Sequence, residues 1–441
     1  MIAKYGYLLR FWFGPKLVVC VIDPKDVEAV ISSPSCAAKP DSAYRLLETV
    51  LGKGMASLNG PEHRRHRKMI LPLLHRDMLA QFQPLMHLSA LELADSLADK
   101  AASGEVFDVS MLCGLAALNV TYRTILDVDQ GLYEATREQR RLVVESTTRV
   151  SELLWYRVVR PWRHPDWLFR LDPNHAELEQ VIGLYDRLIT DVLDDKLDKM
   201  SEPRQQQSRR SLLDILLDSE GGRTLSRAEV FAELKTMVAG TFATSMDVMS
   251  MVLLVLSLLP DELARIHREL DDVLGDRPLE TADLDHLCAL ERLIREALRY
   301  YPPFPVLGRT CEKDLRLPSG HTLPAGCYIA LCPLATQWHP EYYPRPEKFD
   351  PDRFLAEAAA ARPACSFLPF SAGIRGCIGE RYTFMLLKTC LATVLRRYDV
   401  LPDPDGPKEV QRIKMTVSIT FHPKNGCKLR LRQRQRPPAG G

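Results

Sequence analysis

The cysteines of this sequence lack the spacing of a structural metal site or of a disulfide framework. There are 11 of them among 441 residues, an odd number, and no Cys-x-x-Cys pair occurs. A structural zinc site needs clustered ligands, and a secreted framework needs paired cysteines. The sequence therefore excludes both classes, and we expect reduced thiols in a chain that faces the cytosol.

An excess of one charge sign is also missing. Lys and Arg number 58 against 57 Asp and Glu, so the formal net charge is +1 at pH 7. Proteins that bind nucleic acid through bulk electrostatics carry a large basic excess. We therefore expect no nucleic-acid partner.

Residues 1–22 lack a long hydrophobic run. Two short apolar segments, YLLRFWF and KLVVCVI, are separated by Gly14 and Pro15. Each has the length of a strand, whereas a helix that spans a bilayer needs roughly 20 apolar residues. We expect a sheet near the N-terminus and no membrane anchor within this chain.

Helical patterns dominate the remaining sequence. The longest predicted helix starts after Ser226, where Glu229 completes a capping box, and no helix breaker follows until Pro260. Its second half, MDVMSMVLLVLSLL, is apolar on all sides, which predicts a helix through the protein centre. A membrane span is the alternative, but Asp247 interrupts the apolar run and acidic helices follow it.

Three short segments predict strands: CYIAL at 327–331, MTVSITF at 415–421 and CKLRLR at 427–432. The last two are predicted to pair across the turn sequence HPKNG. SEPRQQQSRR at 201–210 reads as a polar loop. We predict one mainly α domain (α+β, with a minor β-sheet subdomain) over residues 1–432, followed by a disordered tail at 433–441.

The segment 153–171, LLWYRVVRPWRHPDWLFRL, is rich in Trp and Arg and contains Pro161 and Pro165. This composition is typical of an amphipathic surface segment that contacts lipid. A packed junction between two helices would have the same composition, and both interpretations stay open.

Cys377 stands in a glycine-rich stretch, FLPFSAGIRGCIG, directly before a helical pattern. The positive end of the helix dipole and the unpaired N–H groups there favour a thiolate. Gly373, Gly376 and Gly379 allow the backbone to approach a flat, bulky group, and Arg375 adds a cationic donor. The stretch indicates a soft metal centre whose cofactor carries carboxylates; a chance cysteine in a turn is the alternative.

The spacing Phe370-x-x-Gly373-x-Arg375-x-Cys377-x-Gly379 resembles the haem-ligand signature of the cytochrome P450 family. Two further segments resemble motifs of that family and occur in its order: Glu296-Ala-Leu-Arg299 is similar to its ExxR motif, and Pro351-Asp-Arg353-Phe354 to its PERF-type segment. The resemblance covers nearly the whole chain. YPPFPVLGR and GERYTFMLLK are most similar to animal microsomal members of the family 4 clan.

The resemblance implies the cytochrome P450 fold, with Cys377 as the thiolate ligand of a haem iron and Phe370, Gly373 and Gly379 shaping the haem loop. It also implies that Glu296, Arg299 and Arg353 form a buried network beneath the haem. Four side chains are candidate partners of the haem propionates: Arg67, Arg375, Arg309 and His63, where His63 replaces a tryptophan of the family pattern.

The central helix departs from the family pattern at AGTFATS, residues 239–245. Where the family has an acid and a threonine that relay protons to oxygen, this chain has Phe242 and Ala243. Thr241 and Thr244 are the remaining catalytic candidates; they can organise water, but a hydroxyl is no proton reservoir at neutral pH. Ala239 replaces the glutamate that family 4 members esterify to haem, so we expect noncovalent haem.

The resemblance also places a substrate pocket, and its apolar residues imply a hydrophobic ligand, although an ordinary core would show the same residues. Phe242 is expected to narrow this pocket. The predicted lining residues are Val238, Phe242, Ala243, Phe304, Val306 and Ile419.

The family resemblance implies a monooxygenase that inserts one atom of O2 into a hydrophobic substrate with electrons from NADPH. The electrons would come through a separate NADPH–cytochrome P450 reductase, with cytochrome b5 as a second donor, at the cytosolic face of the endoplasmic reticulum membrane and with peripheral membrane contact. The basic run HRRHRK at 63–68 is either the reductase-docking patch or a solvated helix face. The altered central helix leaves two alternatives: a hydroperoxide-rearranging haem-thiolate enzyme, or a non-catalytic haem- or ligand-binding relative.

Overall fold

The computed structural model describes residues 6–128, 130–200, 212–217 and 225–435. The predicted loop at 201–210 and the last part of the predicted tail, 436–441, lie outside these residues. Within them the chain is mainly helical with small sheets, as predicted. The α-helices, in chain order, are α1 (Pro24–Ser32), α2 (Asp41–Leu51), α3 (Gly60–Ile70), α4 (Arg76–Ser96), α5 (Ala98–Ser103), α6 (Ser110–Thr121), α7 (Gln130–Ala135), α8 (Arg137–Val158), α9 (Asp166–Phe169), α10 (Pro173–Met200), α11 (Leu212–Leu217), α12 (Arg227–Ser257), α13 (Pro260–Leu274), α14 (Cys288–Tyr300), α15 (Pro333–Thr336), α16 (Ala356–Ala360) and α17 (Glu380–Arg397).

The strands are short and form four small sheets within the described residues. In chain order they are β1 (Leu8–Phe13), β2 (Lys16–Val21), β3 (Phe107–Asp108), β4 (Leu307–Thr310), β5 (Leu315–Arg316), β6 (Thr322–Leu323), β7 (Tyr328–Leu331), β8 (Tyr398–Pro402), β9 (Met415–Val417), β10 (Phe421–Pro423) and β11 (Lys428–Gln433). The largest sheet has the order β1-β2-β7-β4, with β2 and β7 parallel and the other pairs antiparallel. Strand β7 lies between the N-terminal hairpin and β4, the strand that carries Arg309.

Helix α12 begins where the sequence predicts. The Glu229 N–H donates to Ser226 Oγ at 3.3 Å, and the Ser226 N–H donates to Glu229 Oε2 at 2.8 Å, which completes the capping box. From Ser245 to Ser257 every side chain except that of Asp247 is buried. Among the described residues α12 is the one helix that is long and apolar enough to cross a membrane, but most of its apolar window is buried inside the protein, so it is a core helix.

Two hydrophobic clusters organise the described chain. The larger one joins α12 to α6 on one side and to the packed pair α4 and α17 on the other. The smaller one lies between α1 and the sheet β1-β2-β7-β4. Because α12 also packs against α17, the central helix and the segment that leads into α17 are neighbours.

The predicted pairing of 415–421 with 427–432 is wrong. Residues 415–423 form their own small hairpin, β9 with β10, because the Ser418 N–H donates to the Thr420 carbonyl at 2.8 Å and turns the chain there. Strand β11 pairs instead with β8 and β3.

The predicted tail also begins too early. Gln433 still pairs with Tyr398 at the end of β11, and the Arg434 guanidinium donates to Asp271 at 2.5 Å. Ladder pairing and this ion pair therefore extend the ordered chain beyond residue 432.

Candidate functional site

The loop before α17 presents Cys377. The Cys377 N–H donates to the Phe370 carbonyl at 2.8 Å, and the Gly379 N–H donates to Cys377 Sγ at 3.3 Å. Gly373 has φ +68°, and a Cβ there would lie 2.9 Å from Ile31 Cγ2, so the turn requires glycine. Cys377 has solvent-accessible surface although the elements around the loop withdraw its thiol from bulk water, so the sulfur is accessible to a ligand.

The electrostatics of Cys377 differ from the prediction made from its place before a helix. Burial raises the pKa of the Cys377 thiol, and the Gly379 N–H and Arg67 only partly oppose this effect. The helix N-terminus alone therefore does not produce a thiolate. A bound metal cation would supply the missing stabilisation, because a coordinating thiol loses its proton on binding.

Near this loop lies a group of buried or half-buried basic side chains, which we call the cationic cluster: Arg67, Arg309, Arg375, His63 and Lys39. Arg67 Nη1 donates to the Gly376 carbonyl at 2.8 Å, and Arg375 Nη1 donates to the Leu58 carbonyl at 2.8 Å. Arg309 Nη2 donates to Ser371 Oγ at 3.1 Å and is almost completely buried, which excludes a solvated surface role for it. The sequence analysis missed Lys39, and nothing in its local sequence marks it.

The cationic cluster has an unbalanced positive charge. Within the described part of the chain no Asp or Glu forms an ion pair with any of its members. Burial, with Arg309 and Arg375 nearby, holds the pKa of Lys39 well below its usual range, and burial together with Arg309 lowers that of Arg375 to about 10. Burial and the neighbouring Arg375 lower the pKa of His63 to about 4. Such a cluster is stable when an anion joins it.

One atom of the cluster tests what kind of anion fits. Arg375 Nη2 is buried and has no hydrogen-bond partner. The Lys39 ammonium meets only the Tyr44 hydroxyl, at 3.0 Å. The carboxylates of a flat metal cofactor would accept hydrogen bonds from both Arg375 Nη2 and the Lys39 ammonium. Haem carries such carboxylates together with a metal that a cysteine can bind.

Glu296 and Arg299 lie together in the interior. Arg299 Nε donates to Glu296 Oε2 at 2.6 Å and Arg299 Nη2 to Glu296 Oε1 at 2.8 Å, and neither side chain is exposed. Arg353 Nε lies 3.7 Å from Glu296 Oε1, so the structure brings the three predicted residues together.

Gln337 extends this network, and the sequence analysis missed it. Its Nε2 donates to the Leu298 and Arg299 carbonyls at 3.0 Å, while its Oε1 accepts from the Leu368 N–H at 2.8 Å. Gln337 therefore links the end of α14 to the segment that leads to Cys377.

The central part of α12 presents one accessible face. Gly240, Ala243, Thr244 and Asp247 are accessible or half-buried and follow the i, i+3, i+4, i+7 spacing of a single helix face. Thr244 Oγ1 donates to the Gly240 carbonyl at 2.7 Å. The half-buried Thr241 lies at the edge of this face, and its carbonyl accepts from Ser245 Oγ at 2.7 Å.

Two predicted pocket residues lie on the opposite face of α12. Val238 and Phe242 are completely buried, and the Phe242 ring packs 6.4 Å from the Tyr185 ring of α10. A side chain without exposed surface lines no open cavity. The expectation that Phe242 narrows the pocket is therefore wrong, because the helix turns this position into the core.

The other predicted pocket residues separate into two groups. Phe304 and Ile419 are half-buried, and Ile419 packs against the main core. Val306 is 49% exposed and lines an outer apolar groove of about 600 Å³ together with Trp338 and Phe421. Cys377 is not a wall of that groove, so Val306 does not share a pocket with it.

The basic run at 63–68 belongs to α3, and three of its six side chains point inward. His63 is buried, and His66 Nδ1 lies 2.6 Å from Glu233 Oε1 of α12 in a buried pair. Arg67 contacts the cysteine loop, and Arg65 pairs with Glu229. Besides Arg65, the exposed cations of this run are Arg64 and Lys68.

Comparisons with known proteins agree with this geometry. The profile of the family described as Cytochrome P450 matches residues 1–427, so the chain belongs to the cytochrome P450 family. It is similar to "Cytochrome P450 4d2" of Drosophila melanogaster, with 28% identity over 98% of this chain and 87% of that protein. It is also similar to "Taurochenodeoxycholic 6 alpha-hydroxylase" of Sus scrofa, with 29% identity over 95% of this chain and 83% of that protein.

A solved structure shares the fold. The crystal structure of a cytochrome P450, CYP102L1, superposes with a TM-score of 0.81 and covers 98% of this chain and 93% of that chain at 19% identity. The family and its family 4 relatives identify the chain as a monooxygenase of the haem-thiolate class. Haem, O2, a lipophilic substrate and a redox partner follow from the family.

Proposed function

We propose that this protein is a haem-thiolate monooxygenase that receives electrons from NADPH through a separate NADPH–cytochrome P450 reductase, with cytochrome b5 as a second donor, and hydroxylates a hydrophobic substrate. The observation that carries the proposal is the combination of an accessible Cys377 with the cationic cluster that has no acidic partner. These two features fit the iron and the carboxylates of one planar cofactor.

The chain's own residues would hold different parts of that cofactor. Cys377 supplies the thiolate, whose electron donation favours cleavage of the O–O bond when haem is bound. Arg375 and Lys39 would hold the carboxylates, while Glu296 and Arg299, together with Gln337, fix the segment that leads to Cys377. The accessible face of α12 offers the hydroxyl of Thr244 to water or substrate.

The reduced, CO-bound optical spectrum tests thiolate ligation. We expect a strongly red-shifted Soret band in the native protein and its loss in Cys377→Ala. Because Ala239 offers no carboxylate for an ester bond, acid–acetone treatment should extract all the haem. Haem that stays with the protein contradicts noncovalent attachment, and an unchanged spectrum in Cys377→Ala contradicts thiolate ligation.

Reconstitution tests the reaction. The native protein with reductase, NADPH and a lipophilic substrate should form hydroxylated product, whereas Cys377→Ala should form none. The second candidate, rearrangement of a hydroperoxide, is favoured by Phe242 and Ala243 at the positions of the family's acid and threonine. Turnover of a lipid hydroperoxide without reductant, and no product with reductase and NADPH, would select that candidate instead.

We also propose peripheral contact with the cytosolic face of the endoplasmic reticulum membrane. The support is an exposed aromatic surface formed by Trp12, Trp162, Trp167 and Leu171, which are 61–77% exposed. The turn of the β1–β2 hairpin, next to Trp12, adjoins the Trp-rich segment 153–171, since a Cβ at Gly14 would lie 4.0 Å from Pro161 Cβ. Exposed Trp side chains of this kind prefer a membrane interface.

Liposome flotation tests the contact. Replacing Trp162 and Trp167 by Ser should reduce binding of the haem-loaded protein to phospholipid vesicles, whereas replacing the exposed Leu355 by Ser should leave binding unchanged. Equal flotation of the native protein and the Trp variant would contradict the assignment of this surface.

A further inference from the structure

Asp247 is an unusual residue in the core helix α12. It is the one side chain between Ser245 and Ser257 that is not buried, and it lies three residues after Thr244 on the accessible face of the helix. Positions i and i+3 are neighbours on a helix surface. Asp247 and Thr244 therefore lie on the same accessible face of α12.

The surroundings of Asp247 contain no compensating cation. Within the described residues it forms no ion pair, and the Thr420 side chain approaches it from the β9–β10 turn. Withdrawal from bulk water without a cation raises the pKa of the Asp247 carboxyl to about 7, and the Thr420 hydroxyl only partly opposes this. An acid of this kind is about half protonated at neutral pH.

This placement bears on a requirement of the reaction. One atom of O2 leaves as water in a monooxygenase reaction, so each turnover takes up two protons together with two electrons. The position at which the family carries an acid holds Phe242, which packs against Tyr185 in the core. Asp247 is an acid on the accessible side of the same helix, and its proton affinity suits proton transfer near neutral pH.

We propose, building on the monooxygenase function above, that Asp247 is the residue that holds the proton at the accessible face of α12 and that it acts through the Thr244 hydroxyl. Thr244 Oγ1 donates to the Gly240 carbonyl, so its lone pairs remain to accept a hydrogen bond from the protonated carboxyl or from a water between them. Asp247 thus holds the proton one helical turn from Thr244 and acts through that hydroxyl as a positioning residue.

The proton transfer balances as follows. The O–H bond of the Asp247 carboxyl breaks, and an O–H bond forms on the oxygen atom that leaves as water, by way of water held at Thr244. The carboxylate then takes a proton from solvent. The electrons come from the redox partner and not from Asp247.

Two other titratable groups face Asp247 from neighbouring elements, and neither changes its charge near neutral pH. From the start of β11, Cys427 has a pKa raised well above its usual value by burial. From β10, His422 approaches Thr420 at 3.5 Å, and burial lowers its pKa. Cys427 therefore stays neutral and His422 stays uncharged between about pH 6.5 and 8, a range that includes the pKa of Asp247.

The test compares haem-loaded Asp247→Asn with the native protein. We expect product formation per NADPH to fall about 100-fold, the lower end for loss of a general acid, with the reductant diverted to hydrogen peroxide. In the native protein the product-to-peroxide ratio should fall as the pH rises through about 7, and in Asp247→Asn it should not change there. Asp247→Glu, which restores a carboxyl, should recover much of the ratio. Asp261→Asn, an exposed site on α13, is the matched control.

A second measurement does not depend on turnover. The infrared carbonyl band of a protonated carboxyl should be present in the resting protein at pH 6, fade with a midpoint near pH 7 and be missing in Asp247→Asn. If the native protein makes no product but shows this band, the proposed function fails and the protonation of Asp247 stands. A product-to-peroxide ratio in Asp247→Asn within twofold of the native value, or a carboxyl that is ionised at pH 6, would overturn the proposal for Asp247.

Discussion

The pair Glu296–Arg299 gives the sharpest test of how burial controls the stability of the haem-binding region. A second Arg–Glu pair has the same two-point geometry at the surface: Arg149 Nε lies 2.6 Å from Glu177 Oε1, and Arg149 Nη2 lies 2.7 Å from Glu177 Oε2. The two pairs differ in exposure. Both side chains of the inner pair are 0% exposed, whereas those of the outer pair are 45% and 41% exposed.

We expect Glu296→Gln to lower the free energy of unfolding by about 3–5 kcal/mol, because it leaves the buried Arg299 cation without its carboxylate. Glu177→Gln should lower it by less than about 1 kcal/mol, since solvent screens the exposed pair. Urea unfolding of the haem-loaded proteins, followed by tryptophan fluorescence and by the Soret band, measures both values.

The comparison has a clear adverse outcome. If the two substitutions change the urea midpoint by the same amount, burial does not control the strength of this pair. Arg149 also reaches Glu152 at 3.2 Å, which keeps a partner for it in Glu177→Gln. An unchanged dependence on urea concentration in both variants is required for the midpoints to report stability.

Three further predictions follow from local geometry. Gly373→Ala should lower the haem-loaded fraction, because a positive φ costs about 1–2 kcal/mol and the added Cβ meets Ile31; Gly320→Ala, with φ +86° and open space around it, is the control, and equal haem loading would contradict the argument. Lys39→Met should weaken haem binding about tenfold, through loss of one charge-assisted bond, yet raise the urea midpoint of the haem-free protein; a fall in that midpoint would refute the unbalanced cluster. Asp247→Asn should stabilise the haem-free protein by up to about 4 kcal/mol at pH 8 and by little at pH 4. The reason is that the pKa of Asp247 is raised in the folded state, so the stability of the native protein is complete below about pH 4 and is lost as the pH rises through about 7. Thermal melts of both proteins at the two pH values measure the difference.

The sequence predicts those parts of the fold that local chemistry decides. The capping box at Ser226 starts α12, and the apolar run after it stays buried, because both depend on residues a few positions apart. The ExxR spacing places Glu296 and Arg299 on adjacent helix positions, and the structure keeps them there.

The remaining features depend on contacts between distant parts of the chain. The split of 415–423 into its own hairpin depends on a hydrogen bond within the turn and on the pairing of β11 with β8, more than 25 residues away. Lys39 joins the cationic cluster only because the chain folds α2 and β4 together. Asp247 did carry a sequence signal, an acid in an apolar run three residues after Thr244, but it served only as an argument against a membrane span.

Helix α3 has one consequence for electron transfer. Its inner side binds the cysteine loop through Arg67 and the central helix through His66, while Arg64 and Lys68 face outward. A helix with its side chains is about 10 Å across. An electron-donor protein that binds the outer side of α3 would therefore lie one helix width from the loop that carries Cys377. The thickness of α3 would then set the distance between that donor and the cysteine loop.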